Sequence, residues 1–242
     1  MLYHFTSCEA LLKIILTDDL RFSKSINLDD PFERWRCRNY TCLPPNGFTS
    51  GPESKYYKHF NSLVNSTNIL CFFDSEDDRK DIISPLEDLK MWSHYGKNHQ
   101  GCCLVFDKEK TINSFVNNVK TDSISAHGKV VYNDLKTYEH VFMSAFDSKE
   151  YSEIVFEKLF HNLFFNKAIH YSIENEYRLA VNNGNRDCSL AISNKIIKVV
   201  IAENAKEGDL QSVVNLCKLV EVEVGRMIVS NDRLEFNQIY AP

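Results

Sequence analysis

The hydrophobic positions of this chain switch between strand-like and helix-like spacing from its first residues onward. LYH at residues 2–4 is typical of a short strand. Ser7 offers an N-cap to CEALLKIIL at residues 8–16, whose leucines and isoleucines line one helical face. LRFS at residues 20–23 then predicts a second short strand. The chain therefore opens as strand, helix and strand.

The same two periods predict the main elements of the rest of the chain. Apolar runs indicate strands at residues 68–73, 101–107, 196–202, 220–229 and 234–239. Helical spacing predicts helices over residues 86–97, 151–169 and 207–220. The proline- and glycine-containing stretch 43–56 is the clearest loop. Helices and strands are thus interspersed along the whole chain.

HYSIENEYRLAV at residues 170–181 has the cleanest strand pattern. Side chains on a strand alternate between its two faces, so Glu174, Glu176 and Arg178 are expected on one face. This spacing makes the two glutamates candidates for acid–base chemistry. The alternative is a solvated, salt-bridged sheet face, which is a common use of charged residues on a strand.

These elements predict an α+β fold, in which one domain spanning residues 1–242 has a mixed sheet flanked by helices. A domain of this length buries roughly three quarters of its unfolded surface, which permits a full core. Hydrophobic residues make up 43% and charged residues 25% of the chain, close to the averages for globular proteins. Disorder is not indicated.

The charge balance limits the classes of partner. Lysine and arginine number 28 against 33 aspartates and glutamates, a net charge of −5, so no global positive field attracts nucleic acid or an anionic membrane. The N-terminal segment lacks the features of a signal peptide, and no apolar run approaches the roughly 18 residues of a spanning helix. We therefore expect a cytoplasmic protein with no membrane partner.

The cysteines and the absent motifs remove several functions. Eight cysteines are scattered along the chain without a C-x-x-C pair, a distribution that favours buried free thiols and predicts no metal site built on cysteine. The sequence also lacks GxGxxG, P-loop, G-x-S-x-G and HExxH motifs. Rossmann, P-loop, serine-hydrolase and zincin functions therefore lose support.

Five segments, in order along the chain, resemble the motifs of a widespread bacterial domain family of unknown function. They are LYHFTS at 2–7, NLDDPFE at 27–33, CFFDS at 71–75, MWSHYGKNHQGCCLVFD at 91–107 and ENEYRL at 174–179. The family pattern is LYHYTS, N-D-P-F-E, C-F-S, W-x-H-Y with a following G-x-x-x-x-F-D, and E-x-E-Y-R. An added residue precedes Asp30, and Phe73-Asp74 replaces the usual serine, which puts any role of that serine in doubt.

The LYH strand, followed by Thr/Ser and a helix, also resembles the first element of ADP-ribosyltransferases of the His-Tyr-Glu type. In that type of enzyme a histidine comes early and a glutamate late. The resemblance implies a split mixed sheet, NAD as substrate, and a role as a toxin or antiphage effector. It implies catalytic roles for His4, Glu174 and Glu176, and contacts with NAD for His4, Thr6, Tyr95, Arg178 and Asp30.

Carboxylates suit the chemistry that this resemblance implies. Breaking the bond to nicotinamide leaves a cationic ribose, which a nearby carboxylate stabilises. One glutamate would fix the ribose while the other accepts a proton from the nucleophile. The expected acceptor is a protein, a nucleic acid or water, and a cognate regulator or antitoxin is a further expected partner.

Two other functions stay open at this point. A metal-dependent nuclease would bind Mg²⁺ through carboxylates and place a basic side chain beside the phosphate. Asp29, Asp30, Glu174 and Glu176 would bind the metal, and Lys167 or Arg178 would be the basic side chain beside the phosphate. A non-catalytic binding or antitoxin-like module would use the motifs only to organise a core and a partner surface.

Single candidate residues also have structural alternatives. His4 can be a partly buried histidine that hydrogen-bonds a backbone carbonyl. Tyr95 belongs to a helical stripe with Met91 and Trp92, so it can pack in the core instead of stacking on nicotinamide. For Trp92, core packing is the preferred interpretation.

Overall fold

The computed structural model describes residues 1–28, 62–76, 84–119, 123–133, 160–184, 186–230 and 233–242. In these ranges the strands are β1 Leu2–Thr6, β2 Leu20–Arg21, β3 Ser23–Lys24, β4 Thr67–Asp74, β5 Cys102–Phe106, β6 Ile124–Lys129, β7 Val131–Asn133, β8 Asn166–Ala168, β9 Glu176–Asn182, β10 Ser189–Leu190, β11 Ile196–Ile201, β12 Glu223–Ser230 and β13 Arg233–Tyr240. The α-helices include α1 Cys8–Thr17, α2 Leu89–His94, α3 Lys108–Asn118 and α4 Glu207–Leu219, and 3₁₀ helices cover Ser25–Asn27 and Ile169–Glu174. Residues 62–66 and 160–164 are also helical.

A mixed sheet organises these elements. Its hydrogen-bonded order is β13-β12-β11-β5-β1-β4-β9-β6, with β3 also paired to β4. The β11–β12 pair is parallel, and the other neighbours in this sheet are antiparallel. The start of α1 is fixed locally, because the Ser7 hydroxyl accepts a hydrogen bond from the Ala10 amide and caps the helix. The predicted α+β class is confirmed.

Helices cover both faces of the sheet, which explains the continuous apolar runs of its central strands. On the first face, Leu104 and Phe72 join a core with residues from α1, α3 and α4. On the second face, Tyr3 and Phe73 pack with Trp92 of α2. Residues 160–164 and their neighbours cover the β4–β9 part of this second face. The core role preferred for Trp92 agrees with this packing, since its side chain is buried.

The sheet opens between β1 and β4. Strand β1 pairs with β5 over its full length, whereas its pairing with β4 is confined to Leu2 opposite Asp74 and Tyr3 opposite Phe73. Strand β3 pairs with the other half of the same β4 edge, at Ile69 and Asn68. The β4 edge is therefore shared by two strands, and the chain segments diverge where β1 leaves it.

The elements predicted over residues 151–169 and 170–181 differ from those in the structure. The helix predicted over residues 151–169 is helical at 160–164, but Asn166–Ala168 forms strand β8, and 151–159 lie outside the described residues. The strand predicted over 170–181 begins only at Glu176, because Ile169–Glu174 is a 3₁₀ helix. Asn175 ends that helix in the left-handed region at φ 43°, which asparagine tolerates better than most residues.

Two other predicted elements are divided or shortened in the structure. LRFS, predicted as one strand, forms the two short strands β2 and β3, which pair with β10 and β4 respectively. The helix predicted over residues 86–97 is limited to Leu89–His94. None of the helices in the described ranges is both long and apolar enough to cross a membrane.

Candidate acid–base site

Two glutamates, a lysine and an arginine form a buried charged cluster on the second face of the sheet. The Lys167 ammonium lies 2.5 Å from Oε2 of Glu174 and 2.5 Å from Oε1 of Glu176. The other carboxylate oxygen of Glu176 accepts a hydrogen bond of 2.6 Å from Nε of Arg178. All four side chains are at most 9% exposed. Charges so close to one another and so far from water interact strongly.

Neighbouring groups satisfy the remaining polar atoms of the cluster. The Tyr95 hydroxyl donates a hydrogen bond of 2.7 Å to Oε1 of Glu174. Nη1 of Arg178 donates to the carbonyl of Phe164 at 2.9 Å, which ties the cluster to the helical residues that cover it. The Lys167 ammonium also lies 4.5 Å from the centre of the Tyr171 ring, a cation–π distance. The cluster is thus a connected network.

A left-handed turn places the two glutamates together. Glu174 is the last residue of the 3₁₀ helix, Asn175 is the left-handed cap, and Glu176 is the first residue of β9. Asn175 is held from both sides, since its carbonyl accepts from the Asp74 amide and its Nδ2 donates to the Asp74 carbonyl. The expectation that both glutamates lie on one strand face is wrong. They converge because the turn directs Glu174 back toward Lys167.

Glu176 and Arg178 do lie on one face of β9, as predicted, but that face is not solvated. Both side chains are buried, Arg178 at 1% exposure, because α2 and residues 160–164 cover this part of the sheet. The solvated, salt-bridged face considered as the alternative is therefore excluded for these residues. Burial of paired charges on this scale is uncommon and is more frequent at functional sites than on ordinary sheet faces.

The cluster drives the pKa values of the two glutamates apart. Burial raises the pKa of Glu174 to about 7, and the neighbouring Glu176 carboxylate acts in the same direction. Burial alone would also raise the pKa of Glu176, but the Arg178 guanidinium and the Lys167 ammonium outweigh it and hold that pKa well below its usual range. One acid stays ionised while its neighbour titrates near neutrality. Acid–base pairs require such a difference in pKa, and buried structural ion-pair networks also produce it.

Tyr95 reaches the cluster from another part of the chain. It caps the C-terminal end of α2, and its ring packs on Phe73 with a centroid distance of 4.9 Å. Burial and the adjacent Glu174 carboxylate raise the pKa of Tyr95 well above its usual value, so the phenol remains a hydrogen-bond donor. Tyr95 thus packs in the core, as its alternative interpretation holds, and also contacts Glu174, while its contact with NAD stays a prediction.

His4 does not join the cluster. Strand β4 lies between β1 and β9, so the first strand and the ENEYR strand are not neighbours. His4 is paired with Leu104 and lies on the first face of the sheet, whereas Glu176 is paired with Phe73 on the second face. Because side chains alternate along each strand, the imidazole and the carboxylate point to opposite sides. A cleft shared by His4 and the glutamates is therefore excluded.

The structure assigns His4 a contact at the sheet opening. Its Nδ1 lies 3.2 Å from the carbonyl of Cys71, at the point where β1 has left β4. Burial lowers the pKa of His4, so the ring is neutral at pH 7 and donates its Nδ1 proton to that carbonyl. This is the backbone contact considered for His4 as its alternative.

The remaining predicted residues divide between the first strand and undescribed chain. Thr6 pairs with Cys102 and is partly buried on the same face as His4, so it too is separated from the acid pair. Asp30 and Asp29 lie outside the described residues. Of the predicted site residues, the structure brings together Tyr95, Glu174, Glu176 and Arg178.

Sequence reasoning missed the central role of Lys167 and the contribution of Tyr132. The nuclease alternative predicts Lys167 only as a neighbour of the phosphate, yet its ammonium bridges both carboxylates. The Tyr132 hydroxyl accepts a hydrogen bond of 2.8 Å from the Glu176 amide. A lysine within the apolar run LFFNKAI signals a buried anionic partner, because an isolated buried ammonium is costly. Tyr132 carries no comparable signal.

The cluster geometry bears on the nuclease alternative. In the part of the chain that the structure describes, no group of three or more His, Cys, Asp or Glu side chains is arranged to hold a metal ion. The Lys167 ammonium occupies the position between Glu174 and Glu176 that a bridging cation would need. These two carboxylates are therefore a poor fit to Mg²⁺ unless Lys167 moves away.

A family model described as "Protein of unknown function (DUF2971)" matches residues 91–179. The matched stretch covers less than half of the chain and contains Tyr95, Lys167 and all three charged residues of ENEYR. It is consistent with the resemblance to an uncharacterised bacterial family. No curated protein and no solved structure matches the chain.

Proposed function

We propose that this protein is an NAD-consuming enzyme of the ADP-ribosyltransferase type, whose chemistry is carried by Glu174. The supporting observation is that Glu174 and Glu176 share one ammonium group at 2.5 Å while their pKa values are driven to opposite sides of the usual range. Such a division distinguishes an acid–base pair from two equivalent carboxylates. NAD as the substrate is supported by the sequence resemblance.

Glu174 is the better candidate to meet the substrate. Its side chain is 9% exposed against 4% for Glu176, and its pKa of about 7 suits proton transfer near neutral pH. Glu176 is held by Arg178 and Lys167, so its function in the proposal is to fix the electrostatic environment of its neighbour. We therefore assign the catalytic role to Glu174 and a positioning role to Glu176.

The proposed reaction breaks the bond between ribose C1′ and the nicotinamide nitrogen. The bonding electron pair leaves with nicotinamide, which departs as a neutral molecule, and the ribose becomes cationic. The ionised Glu174 carboxylate stabilises that charge and accepts the proton of the incoming nucleophile as the new bond to C1′ forms. The Tyr95 hydroxyl holds the carboxylate in place throughout. Lys167 neutralises the excess negative charge of the acid pair.

This mechanism does not use His4. The imidazole lies on the first face of the sheet and the acid pair on the second, so the proposal departs from the His-Tyr-Glu arrangement. The acceptor in the proposal is a protein, a nucleic acid or water. A role as a toxin or antiphage effector, with a cognate regulator, rests on the sequence resemblance alone and belongs to the same proposal.

The decisive experiment combines the purified protein with NAD labelled in its adenosine half and with a cell extract. Nicotinamide release measures bond cleavage, and the fraction that takes up label identifies the acceptor. We expect Glu174→Gln to reduce nicotinamide release by about 10²–10⁴-fold, the usual effect of losing a general base. Glu9→Gln is the matched control, because Glu9 is an exposed glutamate on α1 with a side chain 75% exposed.

Three contrary results would each overturn a different part of the proposal. Unchanged nicotinamide release by Glu174→Gln would eliminate Glu174 as the catalytic base. Absence of release by the wild type with every extract would remove NAD as the substrate. Cleavage of DNA or RNA that needs no NAD and stops with EDTA would favour the metal-dependent nuclease instead.

A further inference from the structure

Two buried thiols meet on the first face of the sheet, away from the acid pair. The sulfur atoms of Cys8 and Cys102 lie 3.1 Å apart, and both side chains are buried. A disulfide bond has a sulfur–sulfur length of about 2.05 Å, so an approach of roughly 1 Å would allow the bond to form. Cys8 and Cys102 are 94 positions apart in the sequence, and the fold alone brings them together.

Local geometry fixes this meeting. Cys8 is the first residue of α1, directly after the cap Ser7, and Cys102 is the first residue of β5. Strand β1 ends at Thr6, which is paired with Cys102. The single intervening residue Ser7 therefore starts α1 directly beside the beginning of β5. Both ends of the thiol contact are anchored by regular secondary structure.

The two thiols differ in their readiness to ionise. The hydrogen bond with Cys102 lowers the pKa of Cys8, which also begins a ten-residue helix, where a negative charge is stabilised. The same hydrogen bond, together with burial, raises the pKa of Cys102. The neighbouring residue Cys103 differs from Cys8, because it lies on the opposite face of β5 and burial raises its pKa well above the usual value. Cys8 is thus the thiol suited to react first.

We propose that Cys8 and Cys102 form a reversible thiol–disulfide pair that responds to hydroperoxides or to small disulfides. With a hydroperoxide, the Cys8 thiolate attacks one peroxide oxygen, the O–O bond breaks, the other oxygen takes up a proton and leaves as an alcohol or water, and Cys8 becomes a sulfenic acid. The Cys102 thiol then attacks this sulfur, and water leaves as the S–S bond forms. Two sulfurs are oxidised and one hydroperoxide is reduced. With a small disulfide, the Cys8 thiolate displaces one thiol to form a mixed disulfide, the Cys102 thiol then displaces the other, and the small disulfide is reduced to two thiols. A dithiol reductant reverses the reaction.

The bond would link the start of α1 to the start of β5. It closes a long loop of chain, which restricts the unfolded state and stabilises the folded one. The oxidised protein should therefore unfold at a higher urea concentration than the reduced protein. Oxidation near the first strand would act on the framework of the sheet and leave the acid pair on the second face chemically unchanged.

The test measures the intact mass of the wild-type protein after exposure to hydrogen peroxide or oxidised glutathione. We expect a loss of about 2 Da that dithiothreitol restores, as required for one disulfide. Tryptic peptides then identify the pair, and a link between the peptide containing Cys8 and that containing Cys102 is expected. Because the second tryptic peptide also contains Cys103, the variant Cys103→Ser is needed to separate the two neighbours.

Four cysteine variants test which residues form the link. Cys103→Ser and Cys217→Ser should keep the cross-linked peptide, whereas Cys8→Ser and Cys102→Ser should lose it. Cys217 is a suitable control because it is buried in the same first-face core. The proposal is overturned if the wild type forms no such link under oxidant concentrations that preserve its circular dichroism spectrum, or if its link joins other cysteines. The wild-type test for a link between the two peptides does not depend on whether any variant folds, and Cys103→Ser is used only to assign that link to Cys102.

Discussion

The Tyr95 hydroxyl donates a 2.7 Å hydrogen bond to the Glu174 carboxylate, although the two residues are 79 positions apart. The contact joins the end of α2 to the end of the 3₁₀ helix that precedes β9. It links two separate sequence motifs, W-x-H-Y and E-x-E-Y-R, at a single carboxylate. The two motifs therefore meet in one buried cluster.

Replacing Tyr95 with phenylalanine should shift the titration of Glu174. The hydroxyl donates to the carboxylate and favours its ionised form, so its removal should raise the pKa of Glu174 above about 7. In the proposed enzyme the acidic limb of the pH–rate profile should move to higher pH. A pH–rate profile of nicotinamide release measures this shift. An unchanged acidic limb would show that Tyr95 does not act on the ionisation of Glu174. Loss of the buried hydrogen bond should also lower the free energy of unfolding by about 1–3 kcal/mol.

The pH dependence of the wild type should also report Glu174. As a base, Glu174 acts when ionised, so nicotinamide release should rise with pH through about 7, the pKa of the folded protein. Measuring release from pH 5.5 to 8.5 in buffers of constant ionic strength tests the expectation. A profile that is flat across this range would contradict the assignment of the base.

The stability of the fold should respond to pH in the opposite direction. The folded state raises the pKa of Glu174 from the ordinary 4.5 to about 7, so it binds this proton more tightly than the unfolded state does. The resulting stabilisation is fully present below pH 4.5 and is lost as the pH rises through 7. Glu176 has a lowered pKa, and its contribution is lost only as the pH falls below about 4.5. Urea unfolding at pH 5 and pH 8 should show the Glu174 effect, and Glu174→Gln should reduce it.

Neutralising the two glutamates should have unequal effects on stability. Glu176→Gln leaves the buried Arg178 guanidinium without its carboxylate, and breaking a buried ion pair typically costs about 3–5 kcal/mol. Glu174→Gln replaces a side chain that is partly protonated at neutral pH, so it should cost much less. Urea unfolding of both variants at pH 7 compares them. Equal losses would show that the two carboxylates do not differ in charge as inferred.

Substitution of His4 should separate a structural role from a catalytic one. His4→Ala removes the hydrogen bond to the Cys71 carbonyl at the sheet opening, so the melting temperature should fall. Nicotinamide release, corrected for the folded fraction, should stay within a few fold of the wild type because the ring faces away from the acid pair. Leu16→Ala, which changes an exposed residue of α1, is the control for a substitution with no expected effect on nicotinamide release. A catalytic loss of several orders of magnitude in folded His4→Ala would return the imidazole to the reaction.

The paired strands and capped helices could be read from local patterns, because burial of a face dictates the period of hydrophobic residues. CEALLKIIL with its cap Ser7 formed α1, and the apolar run at 101–107 contains β5. The pattern failed at HYSIE, where alternation suggested a strand and the chain forms a 3₁₀ helix. Alternation over so few residues does not fix φ and ψ, and the contacts of Asn175 with Asp74 decided the turn.

Among the candidate site residues, the sequence identified Glu174, Glu176, Arg178 and Tyr95, whose chemical types already suggest acids with partners. It did not identify which residues meet. Strand order set that outcome: β4 lies between β1 and β9, and strand parity turns His4 to the opposite face. Hydrogen-bond pairing between distant strands leaves no trace in the local period of either strand.

The sequence by itself determined the α+β class, helices α1 and α4, strands β1, β4, β5, β11, β12 and β13, and the presence of an acidic motif at residues 174–178; it did not predict α3. The tertiary structure decided that this motif is buried, that Lys167 bridges its two acids, and that the pKa values of those acids diverge. The physical reason is that hydrophobic period reflects each segment's own burial. Desolvation and Coulomb interaction depend instead on groups that distant segments bring within a few ångströms.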